Sequence, residues 1–212
     1  MAEFSKVAQY QGWRYLPPLV ERAVQLSIEM NFDHSCTPHQ GELLSVLARG
    51  RDGGTIGETG TGCGAGLAWM TEAVSPSTRL ISVERDADRA AACQHLFAGY
   101  GNVTVLHGDW TLIESHAPFD LLVLDGGGGG KRAGTAKADP ARLLVPGGTV
   151  VLDDFHPPMT VWPEDADQPP DEFGRSVAQA RAHWLQHPDL FASEVRVHPQ
   201  LSSIVGTLKA PG

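Results

Sequence analysis

The sequence predicts an α/β fold in which helices alternate with the strands of a mostly parallel sheet and two antiparallel strands close the chain. Three observations carry this expectation. From residue 54 onward, short apolar runs alternate with stretches of helical periodicity, as parallel strands joined by helical crossovers require. The first apolar run ends in Gly60-Thr61-Gly62-Cys63-Gly64, a glycine cluster of the kind that turns a strand into a helix. Near the C-terminus, the link between the last two apolar runs is too short for a parallel crossover, so they return antiparallel.

Taken in order, the chain opens with few organising signals beyond Tyr10, Trp13 and Tyr15, aromatic residues that could cap a core or meet a second copy of the chain. After Pro17-Pro18 the run Leu19–Leu26 has apolar residues at helical spacing. A second helix starts at Thr37, a hydroxyl at the N-cap with Pro38 at the first helical position and Gln40 three residues on. Its apolar face reads as Leu43, Leu44, Val46 and Leu47. Strands are expected over Gly54–Thr59, Leu80–Glu84, Val103–His107, Phe119–Asp125 and Thr149–Asp153, and helices over Ala65–Ala73, Asp86–Ala98 and Asp139–Leu144. Pro146-Gly147-Gly148 reads as a tight turn feeding the fifth strand. The segment 156–171, rich in Pro and Asp, is expected as a surface loop. A helix near Glu172–Gln186 follows, then the strand pair Ser193–Val197 and Ser203–Leu208. With 212 residues this is one domain, 1–212, made of an N-terminal helical segment (1–50), a core (54–155) and a closing segment (156–212).

Composition narrows the function. A formal charge of −9 repels phosphate backbones, and the densest basic stretch is only Lys131-Arg132 with Lys137, so no nucleic-acid partner is expected and a small-molecule one is. No apolar run is long enough to span a bilayer, and the start lacks the pattern of a secretory signal, which makes the cytoplasm the expected location. The three cysteines, Cys36, Cys63 and Cys93, lack metal-ligand spacing and read as packed, reduced thiols.

The candidate binding residues sit where strands end. Glycines at alternate positions let the backbone bend against a ligand, while the following helix presents its N-terminal amides. Glu84 closes the second strand, roughly 20 residues beyond the bend, where a carboxylate can accept from a ribose diol. Asp109 closes the third, with Trp110 beside it. Each acid taken alone is more commonly a solvated loop residue; three successive strand ends with the expected feature invert that balance.

Together, Glu58-Thr59-Gly60-Thr61-Gly62, Glu84, Asp109, the run Phe119–Asp125 and Leu144-Val145-Pro146-Gly147-Gly148 resemble the ordered motifs of class I S-adenosylmethionine (SAM) dependent methyltransferases. The resemblance implies a Rossmann-like, doubly wound, seven-stranded sheet with helices on both faces. It implies SAM as cofactor, with Gly60 and Gly62 along the methionine part, Glu84 at the ribose, Asp109 at the adenine edge with Trp110 near the ring, and Glu58, Thr61, Arg85 and Asp125 also among the cofactor-binding residues. More narrowly, Ser35–Leu44 is similar to the segment preceding the first strand in cation-dependent O-methyltransferases of the caffeoyl-CoA and catechol type. That likeness implies a divalent cation, Mg²⁺, Mn²⁺ or Ca²⁺, on Asp125, Asp153 and Asp154, and a phenolic or catechol-like acceptor.

Two positions depart from that pattern. Asp154 stands where these relatives carry Asn, so it either tightens cation binding or serves as a base. Gly126–Gly130 then replaces bulkier residues ahead of Lys131, which with Lys137 is a candidate for the lysine that helps deprotonate the acceptor; the tract reads as conformationally free. The plain reading of Asp153 and Asp154 is a turn cap, and that of His156 a loop residue. Trp162, Phe173 and Trp184 are core residues or acceptor-pocket walls. Two rivals remain. An NAD-dependent oxidoreductase needs a Tyr-x-x-x-Lys pair, which the chain lacks. A non-catalytic SAM-binding module would keep the glycine bend without convergent acids at Asp125 and Asp153.

Overall fold

The computed structural model of the chain describes residues 5–13, 15–155 and 172–210. It divides into two compact units, Met1–His116 and Ala117–Gly212, a boundary that falls within the stretch 54–155. The expected loop 156–171, with His156 and Trp162, lies outside the described residues.

In the first unit a 3-10 turn, Val7–Tyr10, precedes α1 (Pro18–Glu29) and α2 (Pro38–Arg49). Then follow β1 (Thr55–Thr59), α3 (Ala65–Ala73), β2 (Arg79–Glu84), α4 (Ala87–Leu96), β3 (Val103–His107) and a second 3-10 helix, Trp110–His116. The second unit runs through β4 (Phe119–Leu124), α5 (Pro140–Leu143), β5 (Leu144–Phe155), α6 (Glu172–Leu185), β6 (Leu190–His198) and β7 (Leu201–Leu208). The strands form one seven-stranded sheet in the order β3-β2-β1-β4-β5-β7-β6, flanked by helices. Pairing is parallel for β1/β2, β2/β3 and β4/β5, and antiparallel for β5/β7 and β6/β7. The predicted class, a Rossmann-like mixed sheet with its last pair reversed, is the one observed.

Two helix starts are fixed by side-chain caps, of which the sequence announces the first. Thr37 caps α2, its hydroxyl accepting the Gln40 N–H, with Pro38 next. Asp86 caps α4 by accepting the Arg89 N–H at 3.0 Å, so the expected helix begins one residue later, at Ala87. The buried face of α2 differs from the expected one: Gln40, Gly41, Leu44 and Ala48 turn inward, whereas Val46 is 71% exposed. Side-chain volume explains part of the shift, because Trp69 of α3 lies against Gly41, where any Cβ would meet the indole at 2.2 Å.

β4 is a continuous apolar run, Leu121-Leu122-Val123-Leu124, buried throughout, as a strand covered on both faces requires. Each such side chain contributes roughly 1.5–3 kcal/mol on burial. The expected turn at Pro146-Gly147-Gly148 is instead part of β5. The register with β4 shifts between Phe119 and Leu121, and Gly147 takes φ 77° there, so the extra residues are absorbed as an irregularity inside a longer strand. β6 and β7 likewise extend beyond their predicted spans, to nine and eight residues. Among the described residues no helix is long and apolar enough to cross a membrane.

Candidate functional site

The glycine bend is built by its own hydrogen bonds. The Gly60 and Thr61 amides both donate to the Val83 carbonyl, at 2.7 and 3.2 Å, which folds the end of β1 onto β2. Gly60, Gly62 and Gly64 all have positive φ, and Gly64 occupies the N-cap of α3. At Gly62 (φ 56°) the absent side chain has a second reason: a Cβ there would meet Phe32, from the α1–α2 link, at 2.8 Å.

Three buried side chains brace this bend. Glu58, 3% exposed, accepts from the Ser82 hydroxyl at 2.5 Å, and Ser82 shares a second hydrogen bond of 2.6 Å with Thr61. The Glu58 carboxylate also lies against the first turn of α3, where a Cβ on Gly66 would meet it at 2.7 Å. A helix N-terminus is a favourable place for that charge. Glu84, at the end of β2, turns into the bend and accepts the Gly62 N–H at 2.7 Å through Oε2, while Oε1 accepts from the Asp86 N–H and from Arg89. The glycine bend and Glu84 are therefore brought together, as the sequence implied.

The third strand end behaves differently. The Gly108 N–H donates to the Glu84 carbonyl at 2.8 Å, so Asp109 follows directly beside β2. Its Oδ1, however, accepts from the backbone and hydroxyl of Thr111, which caps the 3-10 helix and holds the carboxyl below its ordinary pKa. Arg85 is exposed and lends a weaker favourable field to Asp109; Trp110 is half-buried. The cysteines are packed thiols, as expected: all three are buried, and burial pushes those of Cys63 and Cys93 up. Tyr10 is the N-terminal aromatic that caps the core, its hydroxyl donating to the Cys36 carbonyl and accepting from Trp69. Tyr15 is 74% exposed.

The second unit holds the acids. Asp125 follows β4, and Asp153 and Asp154 directly precede Phe155, the last residue of β5; one ligand oxygen from each lies within 4.8 Å of the others. Asp153 is buried and the other two half-buried. Asp154 has φ 53°, a left-handed conformation that costs a non-glycine residue of order 1–3 kcal/mol. Lys131 reaches the cluster, its Nζ donating to the Asp153 carbonyl at 2.7 Å and standing 3.5 Å from Oδ1. Lys137 does not share that position. It bridges to Gly129 through the backbone, and its stem packs on Gly130.

The glycine tract is more constrained than its composition suggests. Gly128 and Gly130 have positive φ, the Gly128 carbonyl accepts the Ala138 N–H at 2.7 Å, and the Gly129 carbonyl accepts the Trp184 indole N–H at 2.9 Å. Trp184 is fully buried and belongs to the core; Phe173 is 57% exposed. Sequence reasoning missed Phe32 and Arg89, whose guanidinium lies 4.8 Å from the Phe32 ring centre and 3.0 Å from Glu84. Arg89 left a faint trace, three residues after the Asp86 cap; Phe32 left none.

Residues 58–155 match the model of a methyltransferase-domain family. A protein-L-isoaspartate O-methyltransferase of Methanothrix thermoacetophila is 33% identical over 121 residues, 54% of this chain and 54% of its own. The chain spans about half the length of the curated relatives it matches. Among solved structures, the O-methyltransferase TomG from Streptomyces achromogenes, in complex with SAM, superposes with a TM-score of 0.71 at 21% identity, covering 97% of this chain and 96% of that one. The O-methyltransferase from Bacillus cereus, in complex with SAH, gives 0.73 at 18% identity over 96% of each chain. At these identities the structural matches speak for the fold, and the family match speaks for the stretch that carries the bend, Glu84 and the acids. Residues 58–155 thus carry the likeness to a methyltransferase domain, on the seven-stranded fold described above.

Proposed function

We propose that the protein transfers the methyl group of SAM to a hydroxyl oxygen of a small, phenolic or catechol-like molecule, with a divalent cation assisting. The observation that carries the reading is the convergence of Asp125, Asp153 and Asp154 within 4.8 Å. Lys131 offsets part of the repulsion among three carboxylates so close, and their all-oxygen donor set suits Mg²⁺, Mn²⁺ or Ca²⁺. A cation bound there would hold the acceptor oxygen and lower the pKa of its proton.

The chain's own residues supply placement. Glu84, fixed by the Gly62 and Asp86 amides, accepts from the ribose, and the bend Gly60–Gly62 with Thr61 takes the methionine part. Asp109 and Trp110 stand at the adenine end. Asp153 and Asp125 hold the cation, and Asp154 either completes the set or takes the acceptor proton. Lys131, anchored on the Asp153 carbonyl, sets the charge of the cluster and lies at hand for the same proton. Orienting the acceptor and the sulfonium methyl converts a two-body reaction into an in-line displacement between held partners.

The curated relatives favour a second acceptor, the carboxylate of an isoaspartyl peptide. The test is transfer of labelled methyl from SAM to a panel of catechols and phenols, and to an isoaspartyl peptide, with and without a chelator. Transfer to a hydroxyl acceptor, lost on chelation and restored by Mg²⁺ or Mn²⁺, is expected. Chelator-insensitive transfer to the peptide would overturn the reading, and cofactor binding without any transfer would favour a regulatory module. Small-molecule turnover in the cytoplasm, by a monomer or a homodimer, belongs to this proposal too.

A further inference from the structure

The Glu84 carboxylate is nearly filled by the protein's own donors. An ionised carboxylate offers about four lone-pair positions. Three are taken: Oε2 accepts from Gly62 N, and Oε1 accepts from both Asp86 N and Arg89 Nη2, at 2.7, 2.8 and 3.0 Å. A ribose diol brings two donors to the one position left. Binding both hydroxyls requires that one present donor let go.

Two of the three cannot do so cheaply. The Gly62 amide belongs to the bend, and the Asp86 amide to the turn that starts α4. Arg89 is the only side-chain donor. It is incompletely satisfied where it stands: its buried Nε meets no acceptor, and the guanidinium is held otherwise by the Phe32 face and a 3.6 Å approach of Nη1 to Asp86 Oδ2. Asp86 is the more exposed of the two acids, 43% against 6%, and its Oδ1 is already fixed by the Arg89 amide. A second acceptor for the guanidinium therefore lies beside the first.

We propose that Arg89 is an internal competitor for the ribose-binding carboxylate, moving from Glu84 to Asp86 when the cofactor's diol arrives and returning when the product leaves. The inference rests on Glu84 holding the ribose, as proposed above. It makes Arg89 a positioning residue that tunes how tightly either form of the cofactor is retained. Through Phe32, which packs on both the guanidinium and Gly62, the same exchange reaches the α1–α2 link.

The experiment is calorimetric titration of the full chain with SAH and with an SAH analogue lacking both ribose hydroxyls. Arg89→Met keeps a stem over Phe32 and removes the competing donor; it is expected to tighten SAH about 3- to 10-fold, the weight of one hydrogen bond, and to leave the analogue unchanged. Asp86→Asn keeps the helix cap but weakens the alternative seat, so SAH should bind several-fold more weakly, again with no change for the analogue. Weaker SAH binding by Arg89→Met, or equal shifts for both ligands, overturns the proposal. Should Arg89→Met fail to fold, Asp86→Asn decides by the same contrast between ligands. Glu84→Gln separates the two failures. If it leaves SAH affinity intact, the ribose assignment falls and this proposal with it; if it weakens SAH while the Arg89 and Asp86 variants behave otherwise than stated, only this proposal falls.

Discussion

The glycine bend of the first unit and the acidic cluster of the second are both made of strand ends, yet they are held in opposite ways. At the bend, each buried acid answers a donor from the protein itself: Glu58 takes Ser82, and Glu84 takes Gly62, Asp86 and Arg89. Backbone amides and side chains together fix the geometry, and a ligand meets a network that is nearly filled. At the cluster, three acids face one another, and Lys131 supplies a positive charge from one side. The first arrangement is a mould. The second is a group of like charges, and in the proposed reading the first region recognises the cofactor while the second serves the reaction.

The strongest way to break that contrast is Asp125→Ala. Turnover should fall by about 10²-fold or more, because the acceptor loses its placement, while calorimetric affinity for the cofactor stays unchanged. A matching loss of cofactor affinity would show that the two regions are not separable. Next comes the backbone. Gly62→Ala forces a side chain into a left-handed conformation, costing ~1–2 kcal/mol, and drives it into Phe32; a lower melting temperature and weaker cofactor binding are expected. Gly134→Ala is the sharpening control, since φ is 71° there but nothing lies within 4 Å, so only the conformational cost should appear and cofactor affinity should hold.

The smallest effect is in acid. Burial pushes the His183 imidazole below its ordinary 6.5, so its contribution to stability is complete above that value and declines as the pH falls through the lower folded value. In the first unit, hydrogen bonds from Ser75 and Thr78 hold the Asp52 carboxyl down, from 3.8 to about 2. Its contribution is complete above 3.8 and disappears as the pH drops toward about 2. Melting curves against pH should therefore soften in two windows; His183→Gln should remove the upper and Asp52→Asn the lower. A scan in which either variant flattens the other's window would refute the assignment.

Much of this was legible in the residues. Alternating apolar runs gave the sheet its class, and Thr37 announced a helix start through side-chain chemistry that acts within three residues. Glu84 could be placed because a strand end beside a glycine bend leaves a carboxylate few places to point. What stayed hidden depended on distant partners. Val46 was expected inward because its spacing is apolar, yet Trp69 lying on Gly41 fixes which face of α2 can approach α3. The five glycines suggested freedom because composition cannot reveal an indole from fifty-odd residues downstream.

That indole bears on where the protein can be cut. The stretch recognisable as a methyltransferase domain stops at Phe155, whereas the carbonyl of Gly129 finds its donor on Trp184, in a helix beyond that limit. A fragment trimmed to the recognisable stretch would strand a polar group of the acid-bearing loop. Evolutionary kinship and mechanical self-sufficiency thus have different borders in this chain, and anyone excising or grafting residues 58–155 should carry the last described helix along.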